Sequence, residues 1–174
     1  MNYTKFEKNL IDNIKEAQIK LGFENRPMSL NYIQASLNHL FDCECTENIL
    51  SEFSGYAESR LGTIAFRAIR DGFCITVSAE GTAYVNNLND GYEFITELVS
   101  TVRNHGVSME QVIDIFNKYS SDVSIKEIHN DEFDLLVYFS NGKPDEYFYC
   151  LTDEGCHITY HRFIREDYED LGCT

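Results

Sequence analysis

Cysteine and histidine residues gather near the C-terminal end of the sequence, as Cys150, Cys156, His157 and His161. Thiolates and imidazoles are ligands that zinc prefers. The β-branched and aromatic residues around the two histidines predict a strand. In a strand His157 and His161 would lie about 13 Å apart, at about 3.3 Å per residue. Because zinc ligands lie about 2.0–2.3 Å from the metal, we expect that these two histidines do not bind the same zinc ion.

A second group contains His39, Cys43 and Cys45. The Cys-x-Cys spacing differs from the Cys-x-x-Cys of zinc knuckles, and no second pair stands at the matching distance. Cys173 would complete a site only if the C-terminus folded back. Free cysteine behaves as a small hydrophobic residue, so we predict a buried thiol pair at a helix end. We predict no metal and no cofactor.

Signatures of common enzyme classes are absent from the sequence. It contains no Gly-x-Gly-x-x-Gly, Walker A, Gly-x-Ser-x-Gly or His-Glu-x-x-His motif. Carboxylates for acid/base work must face each other across a cleft. The adjacent acidic pairs instead fall in predicted turns or at the C-terminus: Asp131-Glu132, Asp153-Glu154 and Glu169-Asp170. We therefore assign no catalytic residue, and a non-enzymatic protein is favoured although an enzyme is not excluded.

Three arginines, Arg60, Arg67 and Arg70, form the one concentrated positive group in the sequence. Together they would suit a phosphate or a carboxylate. Arginines near a protein surface more often pair with neighbouring acids, here Glu58 and Asp71. The alternation around Arg67 directs its guanidinium toward solvent.

Aromatic residues concentrate in Tyr147-Phe148-Tyr149, with Tyr138 and Tyr160 on the flanking predicted strands. In one interpretation Phe148 belongs to the core and the tyrosines cover a helix or line a rim. In the other, a tyrosine-rich sheet face is an interaction surface, because tyrosine is favoured at interfaces. The sequence leaves both open.

The elements that position these residues follow from hydrophobic periodicity. Helical spacing predicts three helices, at Thr4–Leu21, Leu30–Phe41 and Thr46–Arg60, with Thr4 and Glu7 as a capping box. Period-two alternation around the Asp71-Gly72 turn then predicts three strands. These are Gly62–Arg70, Phe73–Val77 and Ala83–Val85, with Glu80-Gly81 as the second turn.

The remaining sequence predicts two helices, four strands and a final helix. The helices lie between Asp90 and Gly106 and from Ser108 to Tyr119, the latter with a Ser108/Gln111 capping box. The strands are Val123–Ile128, Phe133–Phe139, Glu146–Leu151 and His157–Ile164, and the last helix is Arg165–Leu171. The order is ααα-βββ-αα-ββββ-α. We predict an α+β fold of antiparallel meanders with helices packed against the sheet, as a single domain over residues 1–174. Whether the meanders share one sheet stays open.

The charge is strongly acidic. The chain of 174 residues has 14 Lys and Arg against 29 Asp and Glu, a net charge of −15, and most of this excess follows residue 70. Such a surface repels nucleic acid and lacks the basic cluster of an electrostatic membrane anchor. The opening MNYTKFEKNL has no apolar targeting segment. The six cysteines are expected to be reduced thiols, so we predict a cytoplasmic protein.

Two segments, FEKNLIDNIKEAQIKLG and FDLLVYFSNGKPDEYFYCLTDEGCHITYHRFIREDYEDL, resemble an uncharacterised bacterial domain-of-unknown-function family. The resemblance covers nearly the whole chain. It implies a short, single-domain, cytoplasmic bacterial protein. It implies no reaction and no site residues.

The acidic excess and the missing catalytic motifs favour a non-enzymatic interaction or regulatory domain. Its partner would be a basic protein, because opposite charge speeds association. One version is an inhibitor or immunity-type protein that covers a basic toxin. The alternative is a small-molecule binder or enzyme with a pocket between sheet and helices. Binding residues and oligomeric state stay unassigned.

Overall fold

The computed structural model describes residues 1–128 and 130–172. The chain groups into two compact units, Met1–Asn89 and Asp90–Thr174. The first contains an antiparallel sheet of order β1-β3-β2 and the second an antiparallel sheet of order β4-β5-β6-β7. The predicted α+β class is confirmed, and the two meanders form separate sheets. The single-domain assignment stays a prediction.

The first unit alternates helices with strands in the order α1, β1, α2, α3, β2, β3, α4. The bounds are α1 (Tyr3–Leu21), β1 (Met28–Ile33), α2 (Gln34–Phe41), α3 (Glu47–Leu61), β2 (Ile64–Ile69), β3 (Gly72–Val77) and α4 (Ala79–Asn86). Phe6 of α1, Phe41 of α2 and Phe53 of α3 pack edge to face or tilted against one another. These aromatic contacts join the three helices into one core.

The N-terminus of α1 differs from the prediction. Asn2 is the N-cap, and its side-chain oxygen accepts a hydrogen bond from the Lys5 backbone N–H at 3.0 Å. Asparagine caps a helix at least as well as threonine, and the cap lies two residues before the expected one, Thr4. The predicted Thr4/Glu7 capping box is wrong, since the Glu7 carboxylate pairs with Arg60.

The predicted helix from Leu30 is wrong over its first turn, because residues 28–33 form β1. This strand pairs with β3 through Leu30↔Ile75 and Tyr32↔Phe73. Pairing overrides the helical spacing, since strand preference depends on neighbours across the sheet. Gly72 permits the register: a Cβ there would lie 2.0 Å from the Tyr32 carbonyl oxygen.

The predicted third strand, Ala83–Val85, is also wrong, because it belongs to helix α4. Ser78 caps this helix by accepting a hydrogen bond from the Gly81 N–H at 3.4 Å. Gly81 lies inside the helix rather than in a turn. A Cβ at Gly81 would lie 2.1 Å from the Leu61 carbonyl oxygen, so glycine allows α4 to approach the end of α3.

The sheet of the first unit has one buried face and one open face. The buried face carries apolar side chains of all three strands: Tyr32, Ile64, Phe73, Ile75 and Val77. The opposite face, which we call the open face, carries the exposed side chains of Ser29, Asn31, Ile33, Ala65 and Arg67. The expected packing of helices on one face fits this sheet.

The second unit places two helices before the strands and one after. Its elements are α5 (Glu93–Val102), α6 (Met109–Tyr119), β4 (Val123–Glu127), β5 (Leu135–Phe139), β6 (Phe148–Asp153), β7 (Ile158–Phe163) and α7 (Arg165–Asp170). The Ser108/Gln111 capping box of α6 is confirmed. Helix α5 begins at Glu93 with Tyr92 in the cap position rather than Asp90.

Neighbouring residues of β6 show that this second sheet is covered on both faces. Tyr149 packs against Phe94 of α5 and Phe116 of α6, with ring centroids 5.6 and 5.3 Å away. Phe148 points to the opposite face, where Tyr168 of α7 lies 5.4 Å away. In the described part of the chain, no helix combines the length and the apolar character needed to cross a membrane.

Candidate interaction surface

Exposed carboxylates gather at one end of the second sheet. The β4–β5 and β6–β7 loops lie at the same end because adjacent strands are antiparallel. We call the exposed carboxylates there the acidic end: Glu127, Asp131, Glu132, Asp134, Asp153 and Glu154. Within residues 1–128 and 130–172, none of the six has an ion-pair partner.

The β4–β5 loop is held by side-chain hydrogen bonds. The Asn130 side-chain oxygen accepts from the N–H groups of Glu132 and Phe133, at 2.9 and 2.8 Å. The Thr152 hydroxyl donates to the Glu132 carbonyl at 2.8 Å. The loop is therefore tied both to itself and to β6.

The β4–β5 loop is also tied to the last residue of β6, and the β6–β7 loop to the α5–α6 connection. The Asp134 carboxylate accepts a hydrogen bond from the Asp153 N–H at 2.7 Å, and the Asp153 carboxylate accepts from the Gly155 N–H at 2.8 Å. The Gly106 N–H, in the α5–α6 connection, donates to the Cys156 carbonyl at 2.9 Å. Asp134 and Asp153 thus hold loop backbone, whereas the other four carboxylates carry charge on a fixed framework.

The acidic excess belongs to the second unit. Residues 90–174 have six basic and eighteen acidic residues, a net charge of −12, whereas residues 1–89 have eight and eleven, a net charge of −3. Each acidic residue in the described part of the second unit is at least partly exposed, although the Oδ1 atom of Asp167 is itself buried. The charge therefore lies outside the core of this unit.

The first unit does bury three carboxylates, all on α1, and each is ion-paired. The pairs are Glu7 with Arg60, Asp12 with Lys8 at 2.8 Å, and Glu16 with Lys20 at 2.8 Å. Partly buried acids that hold a cation in this way stabilise the helix surface. They are not arranged for proton transfer to a substrate.

Lys15 is the buried cation of α1. Its ammonium donates to the Asn86 carbonyl at 3.0 Å and to the Val85 carbonyl at 3.4 Å, at the end of α4. Burial lowers the pKa of Lys15. A cation at the C-terminal end of a helix is favourable, so we interpret Lys15 as a link between the two helices.

The first cysteine–histidine group is divided by the structure. Cys150 is fully buried and is the cross-strand partner of His161, whose imidazole is exposed and packs against Phe133. Cys156 is exposed, and its Sγ lies 3.2 Å from His157 Nδ1. Within the described residues no three His, Cys, Asp or Glu side chains are grouped to hold a metal.

The second group is also not a ligand set among the described residues. Cys45 is buried, and burial raises the pKa of its thiol to about 11, with a smaller effect from Cys43. Its N–H donates to the Asn38 side chain at 2.8 Å. The buried thiol is confirmed for Cys45, while Cys43 is half-buried. Cys173 lies outside the described residues.

The three arginines do not form one anion site. Arg60 pairs with Glu7 of α1 rather than with Glu58. Arg70 lies 3.9 Å from Asp71, and both side chains are exposed. Arg67 is exposed, as predicted, and within the described residues it has no ion pair or hydrogen bond.

The tyrosines of β6 belong to the core. Tyr149 is fully buried, and its hydroxyl donates to the Asp145 carboxylate at 2.6 Å. Tyr147 is buried beneath the Arg162 guanidinium, 4.2 Å from the ring centroid. Tyr138 is half-buried and stacks on Phe148. Tyr147 and Tyr149 therefore do not present an exposed face.

Sequence reasoning named two of the acidic pairs but did not bring them together. Asp131-Glu132 and Asp153-Glu154 were assigned to separate turns, and Glu127 was not considered. The available signal was the meander itself, because every second turn of a meander lies at the same end. Counting charge for each end of the predicted sheet would have located the acidic end.

Comparisons with known proteins give a family but no activity. Residues 3–172 match the family model described as "Domain of unknown function, E. rectale Gene description (DUF3877)". No curated protein and no solved structure matches the chain. The match covers almost all of the sequence, so the chain belongs to the DUF3877 family.

Proposed function

We propose that this protein is a non-enzymatic interaction domain whose acidic end binds a basic surface of a partner protein. The observation that supports this proposal is the acidic end itself: six exposed carboxylates on neighbouring strand ends and loops, none with an ion-pair partner among the described residues. Carboxylates left without cations keep their full charge for a partner. A surface with internal ion pairs would have to break them on binding.

The hydrogen bonds of the β4–β5 loop support the same proposal. Ordering a loop on binding costs free energy, so loops that are already fixed bind more strongly for the same contacts. A field of one sign also raises association rates by roughly 10–10³. An inhibitor of immunity type would use the acidic end to cover the cationic surface with which its target binds nucleic acid.

The free thiols support the expected compartment. The described cysteines Cys43, Cys45, Cys74 and Cys156 are free thiols. Reduced thiols are typical of the cytoplasm. We therefore include a cytoplasmic location in the proposal.

The test neutralises the acidic end without disturbing its loops. The acidic-end variant carries Glu127→Gln, Asp131→Asn, Glu132→Gln and Glu154→Gln, and it keeps Asp134 and Asp153. A labelled decalysine peptide serves as the cationic probe, with association rates measured by stopped flow. We expect the variant to associate about tenfold more slowly than the wild type at low salt, within the range that steering supplies. The difference should shrink as salt shortens the Debye length to about 8 Å.

A control variant removes the same number of charges elsewhere in the second unit. Its substitutions fall at exposed carboxylates: Asp90→Asn, Asp114→Asn, Glu146→Gln and Glu169→Gln. The proposal requires this variant to associate much faster than the acidic-end variant. Equal losses in the two variants, or a wild-type rate independent of salt, would show that the acidic end has no special role.

A further inference from the structure

Strand β2 lies at an edge of its sheet and has a strand partner on one side, β3. The Ser78 N–H donates to the Thr63 carbonyl at 3.0 Å, which identifies Thr63–Ser78 as a hydrogen-bonded pair. Such pairs alternate along an antiparallel ladder. The backbone groups of Ile64, Phe66 and Ala68 therefore point away from β3, toward the free edge, where the Ile64 carbonyl accepts a hydrogen bond from the Ser54 hydroxyl of α3 at 3.4 Å.

Apart from the Ser54 contact at Ile64 and the charge of Arg67, this edge has little of the usual protection against an added strand. Natural proteins protect edges with proline, lysine, bulges or a covering element. The sequence of β2, IAFRAI, has no proline and no lysine, and its register with β3 is unbroken from Ile64 to Ile69. The side chains of Ala65, Arg67 and Ala68 are exposed.

The charge at this edge is opposite to that of the molecule. No acidic residue occurs between Glu58 and Asp71, a stretch that contains three arginines. Within residues 1–128 and 130–172 the Arg67 guanidinium has no ion pair or hydrogen bond. The Arg70 side chain is 94% exposed. Because Arg70 lies 3.9 Å from the Asp71 carboxylate, Arg67 is the positive charge that a partner strand would meet on β2.

Each face of β2 would contact every second residue of an added strand. Phe66 is half-buried on the helix-covered face, and Arg67 lies on the open face. Cross-strand neighbours on one face of a sheet interact directly. A strand in which apolar residues alternate with carboxylates would therefore match both faces of β2.

We propose that the free edge of β2 binds an acidic extended peptide of a partner protein as a fourth strand of this sheet. The backbone of Phe66 and Ala68 and the N–H of Ile64 supply the hydrogen bonds, and Arg67 selects carboxylates. A second copy of this chain is disfavoured as the occupant, because antiparallel β2–β2 pairing would bring the two Arg67 side chains toward each other. Two chains of charge −15 also repel.

The probe is a fluorescein-labelled peptide with Glu and Val at alternate positions. We compare it with a peptide of the same composition in blocks and with an alternating Lys–Val peptide. The alternating Glu–Val peptide should bind at least about tenfold more tightly than either, since only it satisfies both faces and the edge. Binding should slow amide hydrogen exchange at Ile64, Phe66 and Ala68.

Two substitutions separate the backbone contribution from the charge. Ala68→Pro removes an N–H that points to the free edge and leaves the hydrogen bonds to β3 intact, whereas Ala68→Ser keeps the N–H. We expect Ala68→Pro to weaken binding about tenfold, as loss of one well-made hydrogen bond does. The Arg67→Glu variant should lose affinity for the Glu–Val peptide and gain affinity for the Lys–Val peptide. Circular dichroism of each variant checks that the fold is kept.

Several outcomes would overturn this proposal. Equal binding of the block peptide would show that charge alone acts, and protection of Ser29, Asn31 and Ile33 would place the peptide on β1. Concentration-dependent protection of Ile64, Phe66 and Ala68 without peptide would identify a second copy as the occupant. The acidic-end variant should bind the Glu–Val peptide normally, so the two proposals can fail separately.

Discussion

Tyr3 and Tyr119 each donate a hydrogen bond from the phenol to a carboxylate, at 2.7 Å. The acceptors are Glu52 for Tyr3 and Glu97 for Tyr119. In each case the hydrogen bond is the largest effect, and it raises the pKa of the phenol to about 12. Ionisation would lose the donated hydrogen and place a phenolate beside a carboxylate.

We expect Glu97→Gln to lower the pKa of Tyr119 toward its ordinary value near 10. The phenol is protonated in the folded protein at pH values where it ionises in the unfolded chain. Its contribution to stability is therefore complete below pH about 10 and is lost as the pH rises toward 12. Absorbance titration of tyrosinate measures the shift. Glu52→Gln is the matched control, because it should lower the pKa of Tyr3 and leave the pKa of Tyr119 unchanged.

The cysteines should differ strongly in reactivity. Thiolate formation and access control alkylation; Cys156 is exposed, whereas Cys45 and Cys150 are buried. A short pulse of iodoacetamide should modify Cys156 in the native protein and reach the two buried thiols after denaturation. Peptide mapping by mass spectrometry locates the modification, and Cys156→Ser should remove the fast site. Rapid native labelling of Cys150 would contradict the buried position of β6.

At the scale of elements, substituting alanine for each of two glycines inside helices should have opposite effects on the free energy of unfolding. Gly81→Ala should destabilise the protein by about 1–3 kcal/mol, because its Cβ would meet the Leu61 carbonyl and the Val77 side chain. Gly55→Ala should stabilise it by about 0.5–1 kcal/mol, because Gly55 is exposed inside α3 and nothing lies within 4 Å of its Cβ. Urea unfolding measures both. A stabilising Gly81→Ala would contradict the close approach of α3 and α4.

Local patterns predicted the elements that depend on local chemistry. Helix α6, with its capping box, is where the sequence placed it, and the β2–β3 hairpin is displaced by one residue, because its turn is Arg70-Asp71 and Gly72 begins β3. Met28–Ile33 and Ala79–Asn86 were mispredicted because their conformations depend on distant partners. β1 exists by pairing with β3, and α4 by the close contact that Gly81 allows. Helix α3 continues through Gly55 without a break.

The candidate surface was predictable only in part, for a related reason. The residue types and the acidic excess were visible in the sequence, as was the solvent-facing Arg67. The meeting of Asp131-Glu132 with Asp153-Glu154 depends on which turns share an end of the sheet. The buried state of Tyr147 and Tyr149 depends on α5, α6 and Arg162. Neither follows from neighbours in the sequence.

At the scale of the whole molecule, charge is distributed unevenly between two kinds of surface. The second unit carries −12 and the first −3. Within the first, the segment with Arg60, Arg67 and Arg70 is cationic. A chain with an acidic end and a cationic strand edge has two chemically opposite surfaces, and the two proposals assign them partners of opposite charge. Salt should weaken both contacts, since each depends on exposed charges.

The free edge of β2 also has a practical consequence for handling the protein. At neutral pH each molecule has a net negative charge that repels other copies. The free edge of β2 therefore does not pair with a second molecule. Near the isoelectric point of about 4.6 that repulsion vanishes, and IAFRAI segments of different molecules are free to pair. Acidic buffers should therefore precipitate the protein, and Arg67→Lys with Ala65→Lys should delay the precipitation.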